Sequence, residues 1–122
     1  MFWYSAHLVL RVMFKDGENN NFPVMENIVL IFADDENAAY VKAEALGFSL
    51  EGDSDGSFTW NDRAATWKFV GVRKLLEIRN SHSRNDSIDE NSEASYSTFE
   101  FDNAATLRQF MLGEVVSLKV LE

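Results

Sequence analysis

The chain has 122 residues, of which 46% are hydrophobic, and its formal net charge is −9. This length suits one domain with one core, and the apolar content is too high for global disorder. The negative charge disfavours nucleic acid and anionic membranes as partners, and the lack of cysteine excludes disulfides, thiolate zinc sites and a cysteine nucleophile. We therefore expect a single domain over residues 1–122.

The start of the chain shows no targeting signal. Met1–His7 lacks the basic region and the small-residue cleavage site of a signal peptide. No apolar run reaches the ~18 residues that a membrane span requires. With no cysteine in the chain, these features predict a cytoplasmic protein that has no membrane partner.

A β-hairpin is the first predicted structure. Apolar and polar side chains alternate over residues 2–14, which is the period of a β-strand. The polar residues 15–21 contain Asp-Gly and several Asn, which suit a hairpin loop. Pro23 then stands at the entry to a returning strand over residues 24–32.

An alanine-rich helix follows the hairpin, with its apolar positions running from Ala38 to Leu46. Asp34 or Asp35 can cap its start, because an Asp side chain accepts hydrogen bonds from the amides of the first turn. Gly47 stands where a left-handed residue commonly ends a helix. We therefore expect the helix to stop at this glycine.

The second half of the chain predicts a central strand and a polar loop. Residues 66–78 are apolar on two sides, as in a central strand, and we expect a bulge near Gly71. Residues 80–95 are almost wholly polar and predict a mobile loop. The remaining predicted elements are a strand, a helix and a final strand, over residues 96–101, 103–112 and 115–121.

These elements predict an α+β fold in the order β-β-α-β-β-α-β. Because hairpin-length connections outnumber βαβ crossovers, we expect a mainly antiparallel sheet of five to six strands with both helices packed on one face. A short strand over residues 57–60 is a candidate for the extra one. Residues 36–47 and 102–113 share an Asn-Ala-Ala start and a Leu-Gly end, which indicates either a repeated strand–helix unit or the general likeness of short capped helices.

The acidic segment over residues 51–62 is the most site-like stretch. Its oxygen-bearing side chains and Gly56 follow the spacing of a calcium loop. Such a loop begins with Asp and closes with the longer Glu, whereas this segment has the reverse, so a solvated acidic turn is favoured and we expect no metal and no cofactor. The calcium-loop candidates are Glu51, Asp53, Asp55 and Asp62.

The sequence contains no recognisable catalytic motif. His7 and His82 are its only histidines, and no metal-binding partner accompanies them. It has neither a GxSxG nucleophile elbow nor a glycine-rich phosphate loop, so no Ser/His/Asp triad has local support. The carboxylates lie mostly in polar loops, where water keeps them ionised. These features favour a protein without enzymatic activity and do not decide the question.

We expect a non-catalytic protein-interaction module that binds a basic partner through the acidic residues 51–62 and 86–93. Trp3 falls on the strand face opposite Phe2 and Tyr4, where an exposed aromatic favours a partner. The same residue, or an exposed strand edge, would support a homo-oligomer.

A small-ligand-binding protein or an enzyme is the alternative. It would use an aromatic-lined pocket near Trp67 and Phe69. Polar groups converging on that pocket would come from His7, Arg11 and Arg73. Core packing is the competing role for the two aromatic residues, because aromatic side chains bury the most surface.

Four segments carry a family resemblance: Trp3-Tyr4-Ser5-Ala6, Glu26–Ile31, Ala38–Gly47 and Trp67–Val72. Together they resemble a family of small bacterial proteins classed only as a domain of unknown function, with a WYSA-like first strand and a WxFVGV-like central strand. The resemblance covers residues 3–78. It implies a small α+β domain and brings no catalytic residue; an inhibitor or immunity-like role in a toxin system is an analogy only.

Overall fold

The chain forms six strands and two helices in a computed structural model that describes residues 1–79 and 88–121. The class, the antiparallel pairing and the order of the elements confirm the sequence prediction. The elements are β1 (Phe2–Phe14), β2 (Val24–Ala33), α1 (Glu36–Ser49), β3 (Thr59–Trp60), β4 (Arg63–Glu77), β5 (Thr98–Glu100), α2 (Ala104–Met111) and β6 (Lys119–Leu121).

The strands divide into two antiparallel sheets, where the sequence predicted one. The larger sheet has the order β2-β1-β4-β3, and β5 pairs with β6 in a separate two-stranded sheet. β1 lies inside the larger sheet because it pairs along nearly its whole length with both β2 and β4. Strand partners far apart in sequence leave no local signal, so the division could not be predicted.

The alternation of β1 gives the larger sheet two different faces. Its helix face, the side covered by α1, carries Tyr4, Ala6, Leu8 and Leu10, all of which are buried. The opposite side, called the outer face below, carries the intervening residues of β1. These are Trp3, Ser5, His7, Val9, Arg11 and Met13.

α1 packs closely on the helix face because the residues it buries are small: Ala39, Ala43 and Gly47. The prediction that Gly47 ends the helix is wrong, since α1 continues to Ser49. A Cβ atom at residue 47 would lie 2.2 Å from Cε1 of Phe69, so the glycine makes room for that ring. The predicted cap is confirmed, because the Asp35 side chain accepts a 2.8 Å hydrogen bond from the Ala38 amide.

A second buried cluster lies at the far end of β1, where Val12 and Phe14 meet Ala65. The aromatic rings of Phe58 and Trp67 stack over it with centroids 5.4 Å apart. The acidic segment over residues 51–58 therefore belongs to the fold as a cover for this end of the sheet.

β4 is irregular where the sequence predicted a bulge. Its register against β1 shifts between the partners of Val9 and Leu10, next to Gly71, and again near Arg73. Gly71 has φ +157°, a value that side-chain-bearing residues rarely adopt. The second shift was not predicted, and it turns Arg73 toward β2.

The C-terminal unit, residues 98–121, differs from the predicted packing. None of its residues is buried, and α2 makes its ring contacts with Phe99 and Phe101 through Phe110 rather than packing on the larger sheet. Of the predicted loop over residues 80–95, residues 80–87 lie outside the described part, and residues 88–95 contain no helix or strand. No helix among the described residues is long and apolar enough to cross a membrane.

Candidate functional site

A polar cluster centred on His7 lies on the outer face of the larger sheet. His7 is only 2% exposed, and with Ser5 it is one of the two buried polar residues of the described chain. Its Nδ1 lies 2.7 Å from Oε1 of Glu26, and its Nε2 contacts Oγ of Ser95. Both ring nitrogens therefore have partners, one from each side of the ring.

Glu26 reaches His7 because of the hairpin register. In the pairing of β1 with β2, Val9 faces Glu26 and His7 faces Ile28, so His7 and Glu26 are diagonal neighbours on the outer face. The Arg73 guanidinium holds the same carboxylate from β4, with Nη2 3.0 Å from Oε1 and Nε on Oε2. The carboxylate thus lies between a guanidinium and an imidazole.

The Glu26 carboxylate stays ionised throughout the physiological pH range. Hydrogen bonding to Arg73 is the main cause; with the hydrogen bond from His7 and the charges of both groups, it lowers the pKa of Glu26 from 4.5 to about 2, against partial burial that acts the other way. A permanent negative charge beside His7 favours the tautomer whose proton is on Nδ1. Nε2 is then free to accept the Ser95 hydroxyl proton.

Ser95 is brought to the cluster by the irregular segment over residues 88–97, which runs against the outer face. Lys74, the cross-strand neighbour of His7, fixes this segment because its ammonium binds the Tyr96 carbonyl and lies 4.4 Å from the centre of the Tyr96 ring. A cavity of about 340 Å³ opens beside Ser95, between the segment and the end of β4.

An aromatic pair marks the end of the outer face where β1 begins. The rings of Trp3 and Phe32, cross-strand partners, lie with centroids 4.8 Å apart. Phe32 remains 40% exposed and Leu30, on the same face of β2, 49%. The predicted interaction residue Trp3 is therefore half-buried and extends an apolar surface.

Arg11 is separated from the rest of the predicted pocket residues. It lies on the outer face with its guanidinium 3.5 Å from the centre of the Phe22 ring. Its Nε and Nη2 are buried with no hydrogen-bond partner among the described residues. Arg11 therefore belongs to a cation–π contact at the opposite end of the face from Trp3.

The structure does not bring the predicted aromatic pocket and its polar groups together. Trp67 and Phe69 pair with Val12 and Leu10 and so lie on the helix face, whereas His7, Arg11 and the Arg73 side chain that holds Glu26 lie on the outer face. Phe69 is 6% exposed and is part of the core. A cavity of about 300 Å³ does lie beside Trp67, lined also by Leu10, Met25, Asn27 and Leu50.

Three of the four calcium-loop candidates bind groups of the protein itself, and the fourth, Asp62, lies in the turn between β3 and β4. Glu51 accepts a 2.8 Å hydrogen bond from the Phe69 amide, and Asp53 forms a 2.9 Å ion pair with Lys15. Asp55 accepts hydrogen bonds from the amide and hydroxyl of Ser57, which lower its pKa. Within residues 1–79 and 88–121 no three His, Asp or Glu side chains are grouped as a metal site, and His82 lies outside those ranges.

Sequence reasoning missed Glu26 and Ser95. The hairpin pattern contained the signal for Glu26, because a register fixed by the turn places it diagonal to His7. Ser95 carried no signal, since it lies 88 residues from His7 in a polar segment with several other serines.

An antiparallel sheet covered on one face by a helix places the chain among small α+β domains. Residues 3–88 match the model of the family described as Domain of unknown function (DUF4288), so the chain belongs to this family. The match includes His7, Glu26 and Arg73 and ends before Ser95. No curated protein and no solved structure shows significant similarity to the chain.

Proposed function

We propose that the protein is an interaction module that binds a basic protein partner at the end of the outer face where β1 begins. The observation that carries this proposal is the aromatic pair of half-buried Trp3 and exposed Phe32, with carboxylates at the same end of the sheet. As in the sequence analysis, we expect a basic partner. We now place its binding surface at this end of the sheet instead of on the acidic segment over residues 51–62.

The apolar part of this surface has the features of an interaction site. Trp3 and Phe32 form a preorganised pair, and Leu30 continues it along β2. Large aromatic side chains that are already held in place lose little conformational freedom on binding, and they dominate the energetics of many interfaces.

Acidic residues outnumber basic ones at this end of β1, where Lys42 binds the Phe32 carbonyl and Arg79 pairs with Glu77. Asp34 follows Ala33, which pairs with Phe2, and Glu77 pairs with Tyr4. Burial, together with the charges of Glu77, Asp35 and Glu36, raises the pKa of the Tyr4 phenol, so these carboxylates lie near this end of β1, toward the helix face. A basic partner would gain both in encounter rate and in specificity there.

The acidic segment over residues 51–62 supports the proposal less. Its Glu51 and Asp53 side chains hold the backbone and Lys15, so they are not available without cost to the fold. Of the second predicted segment, residues 86 and 87 lie outside the described part, but Glu93 lines the same cavity as Glu77. The acidic surface at the start of β1 therefore includes the end of that segment.

The test is affinity capture from source-cell lysate at low and high salt, with the double variant Trp3→Ala/Phe32→Ala beside the unmodified protein. We expect capture of one or more basic proteins, weakened by salt and lost in the double variant. The matched control is Val41→Ala/Val70→Ala, which removes two side chains exposed by 65% and 61% outside the aromatic pair. Equal loss in both double variants, or capture that salt does not change, would contradict the proposal.

A small-ligand site has one observation in its favour, the cavity of about 300 Å³ at Trp67. Its size is at the lower limit for ligand pockets, and its lining is mostly apolar. An apolar fluorescent dye that bound there would lose affinity in Met25→Ser and keep it in Trp3→Ala. The reverse order of effects would assign dye binding to the outer face and remove this second candidate.

A further inference from the structure

The contacts of His7 connect the Ser95 hydroxyl, the His7 imidazole and the Glu26 carboxylate in succession. Ser95 Oγ contacts Nε2 of the ring, and Glu26 Oε1 lies 2.7 Å from Nδ1. A nucleophile bound to a base that is itself oriented by a third group is the geometry of an activated serine. We propose that Ser95, His7 and Glu26 form an acyl-transfer site that accepts short-chain carboxylic esters.

The orientation of the base is fixed before any substrate arrives. His7 is fully enclosed in the outer face, so its ring cannot leave the line between Ser95 and Glu26 without opening the structure. Glu26 is a positioning residue in this arrangement. Its carboxylate accepts the hydrogen bond from Nδ1–H of His7, and Arg73 keeps that carboxylate ionised. Nε2 is therefore directed at the Ser95 hydroxyl as a proton acceptor.

Ser95 has access to space for a small substrate. It is half-buried and lines the cavity of about 340 Å³, whose other walls include Leu76, Ala94 and Tyr96. Glu77, Arg79 and Glu93 stand at the same cavity. The volume suits a short acyl chain with a small alcohol, and the two carboxylates disfavour an anionic substrate.

A positive charge lies close to the nucleophile. Lys74 binds the carbonyl of Tyr96, the residue after Ser95, and is the cross-strand neighbour of His7. In an acyl transfer the carbonyl oxygen of the substrate becomes negative, and a nearby fixed cation lowers the energy of that state.

The reaction uses only these groups and water. The Ser95 oxygen bonds to the ester carbonyl carbon while its proton passes to Nε2 of His7; the bond to the alcohol oxygen then breaks, and the alcohol leaves with that proton. Water next adds to the acyl carbon and gives a proton to His7. The acyl–Ser95 bond breaks, the carboxylic acid leaves, and His7 returns its proton to the Ser95 oxygen.

The test uses the full chain with p-nitrophenyl acetate as the probe ester. We expect a burst of p-nitrophenol and an acetyl group that mass spectrometry of peptides locates on Ser95. Ser95→Ala abolishes both, and His7→Asn slows the burst by ~10²-fold or more, as removal of a general base does. The matched control is Ser92→Ala in the same segment, whose hydroxyl hydrogen-bonds to Asp89; it keeps the full burst.

A second pair of variants avoids any change at the buried histidine. The thiol of Ser95→Cys, next to His7, should react with iodoacetamide ~10-fold faster than that of Ser92→Cys, because a neighbouring base raises the thiolate fraction. Circular dichroism is the check that both variants are folded. Acetylation that Ser95→Ala leaves unchanged, or equal alkylation of the two cysteines, would overturn the proposal. Neither readout depends on the basic partner proposed above, so the two proposals fail independently.

Discussion

The N-terminal body, residues 1–79, and the C-terminal unit, residues 98–121, are built from the same local signals and differ in what those signals bury. Each contains a helix capped by an Asx side chain: Asp35 accepts from the Ala38 amide at 2.8 Å and Asn103 from the Thr106 amide at 2.9 Å. α1 nevertheless buries three of its residues in the body, and α2 buries none.

The difference shows that a helix signal and a packing surface are separate properties of the chain. α1 lies on a four-stranded sheet whose β1 presents a continuous apolar face, whereas the strands of the C-terminal unit are three residues each. A helix of eight residues gains little stability by itself in water. The family match, over residues 3–88, covers the N-terminal body from residue 3 onward and none of the C-terminal unit.

The largest effect that separates the two regions is expected from removing one phenylalanine ring in each. Phe69→Ala empties a position at the centre of the body core, 6% exposed, and should lower the free energy of unfolding by about 3–5 kcal/mol. Phe110→Ala removes a ring that is 38% exposed, and should change it by about 0.5 kcal/mol or less.

Urea denaturation of the two variants, followed by tryptophan fluorescence, measures the free energy of unfolding of the N-terminal body. Trp3, Trp60 and Trp67 all lie in that body. Circular dichroism on the same samples reports both regions together. If Phe110→Ala destabilised the body as much as Phe69→Ala, the two regions would have to share one core.

A smaller effect is expected from acid, and it should be confined to the body. The pKa of Glu26 is lowered to about 2 in the folded chain, so its contribution to stability is complete above pH 4.5, its ordinary pKa, and is lost as the pH falls toward about 2. Because the Glu26 side chain is 32% exposed, solvent screening reduces the loss to about 1–2 kcal/mol.

Urea titrations between pH 5 and about pH 2 would show this loss in the unmodified chain and in Glu114→Gln, which alters a carboxylate of the C-terminal unit. Glu26→Gln should remove its share of the pH dependence while lowering the stability at neutral pH. An unchanged acid profile in Glu26→Gln would show that the Arg73–Glu26–His7 contacts do not stabilise the body.

Much of the body could be predicted from sequence because its signals are local. The alternation of β1, the Asp-Gly hairpin turn and the Asp cap of α1 each specify geometry over a few residues. The predicted helix end at Gly47 was wrong. The glycine makes room for the Phe69 ring, which is a contact between residues distant in sequence. The splitting of the strands into two sheets has the same cause: pairing between distant strands is decided by packing.

The candidate site was less accessible to sequence reasoning. His7 and Glu26 follow from the hairpin register, so half of the cluster could be derived once the turn was placed. Arg73 holds Glu26 from a position where the register of β4 shifts, and Ser95 comes from a segment with no regular structure. The sequence contains no motif for such a site because its members come from three strands and a loop.

The smallest expected difference between the regions comes from their helix caps. Asp35→Ala leaves a first-turn amide of α1 without its acceptor and should lower the free energy of unfolding of the body by about 1 kcal/mol. Asn103→Ala makes the same change at α2 and should speed hydrogen exchange of the Thr106 amide while leaving the urea midpoint from tryptophan fluorescence unchanged. The two cap hydrogen bonds have the same kind of acceptor and nearly the same length. A difference between the two variants therefore reports how strongly each helix is coupled to the core. A fall in the fluorescence midpoint of Asn103→Ala as large as that of Asp35→Ala would mean that the C-terminal unit unfolds together with the body, despite its lack of buried residues.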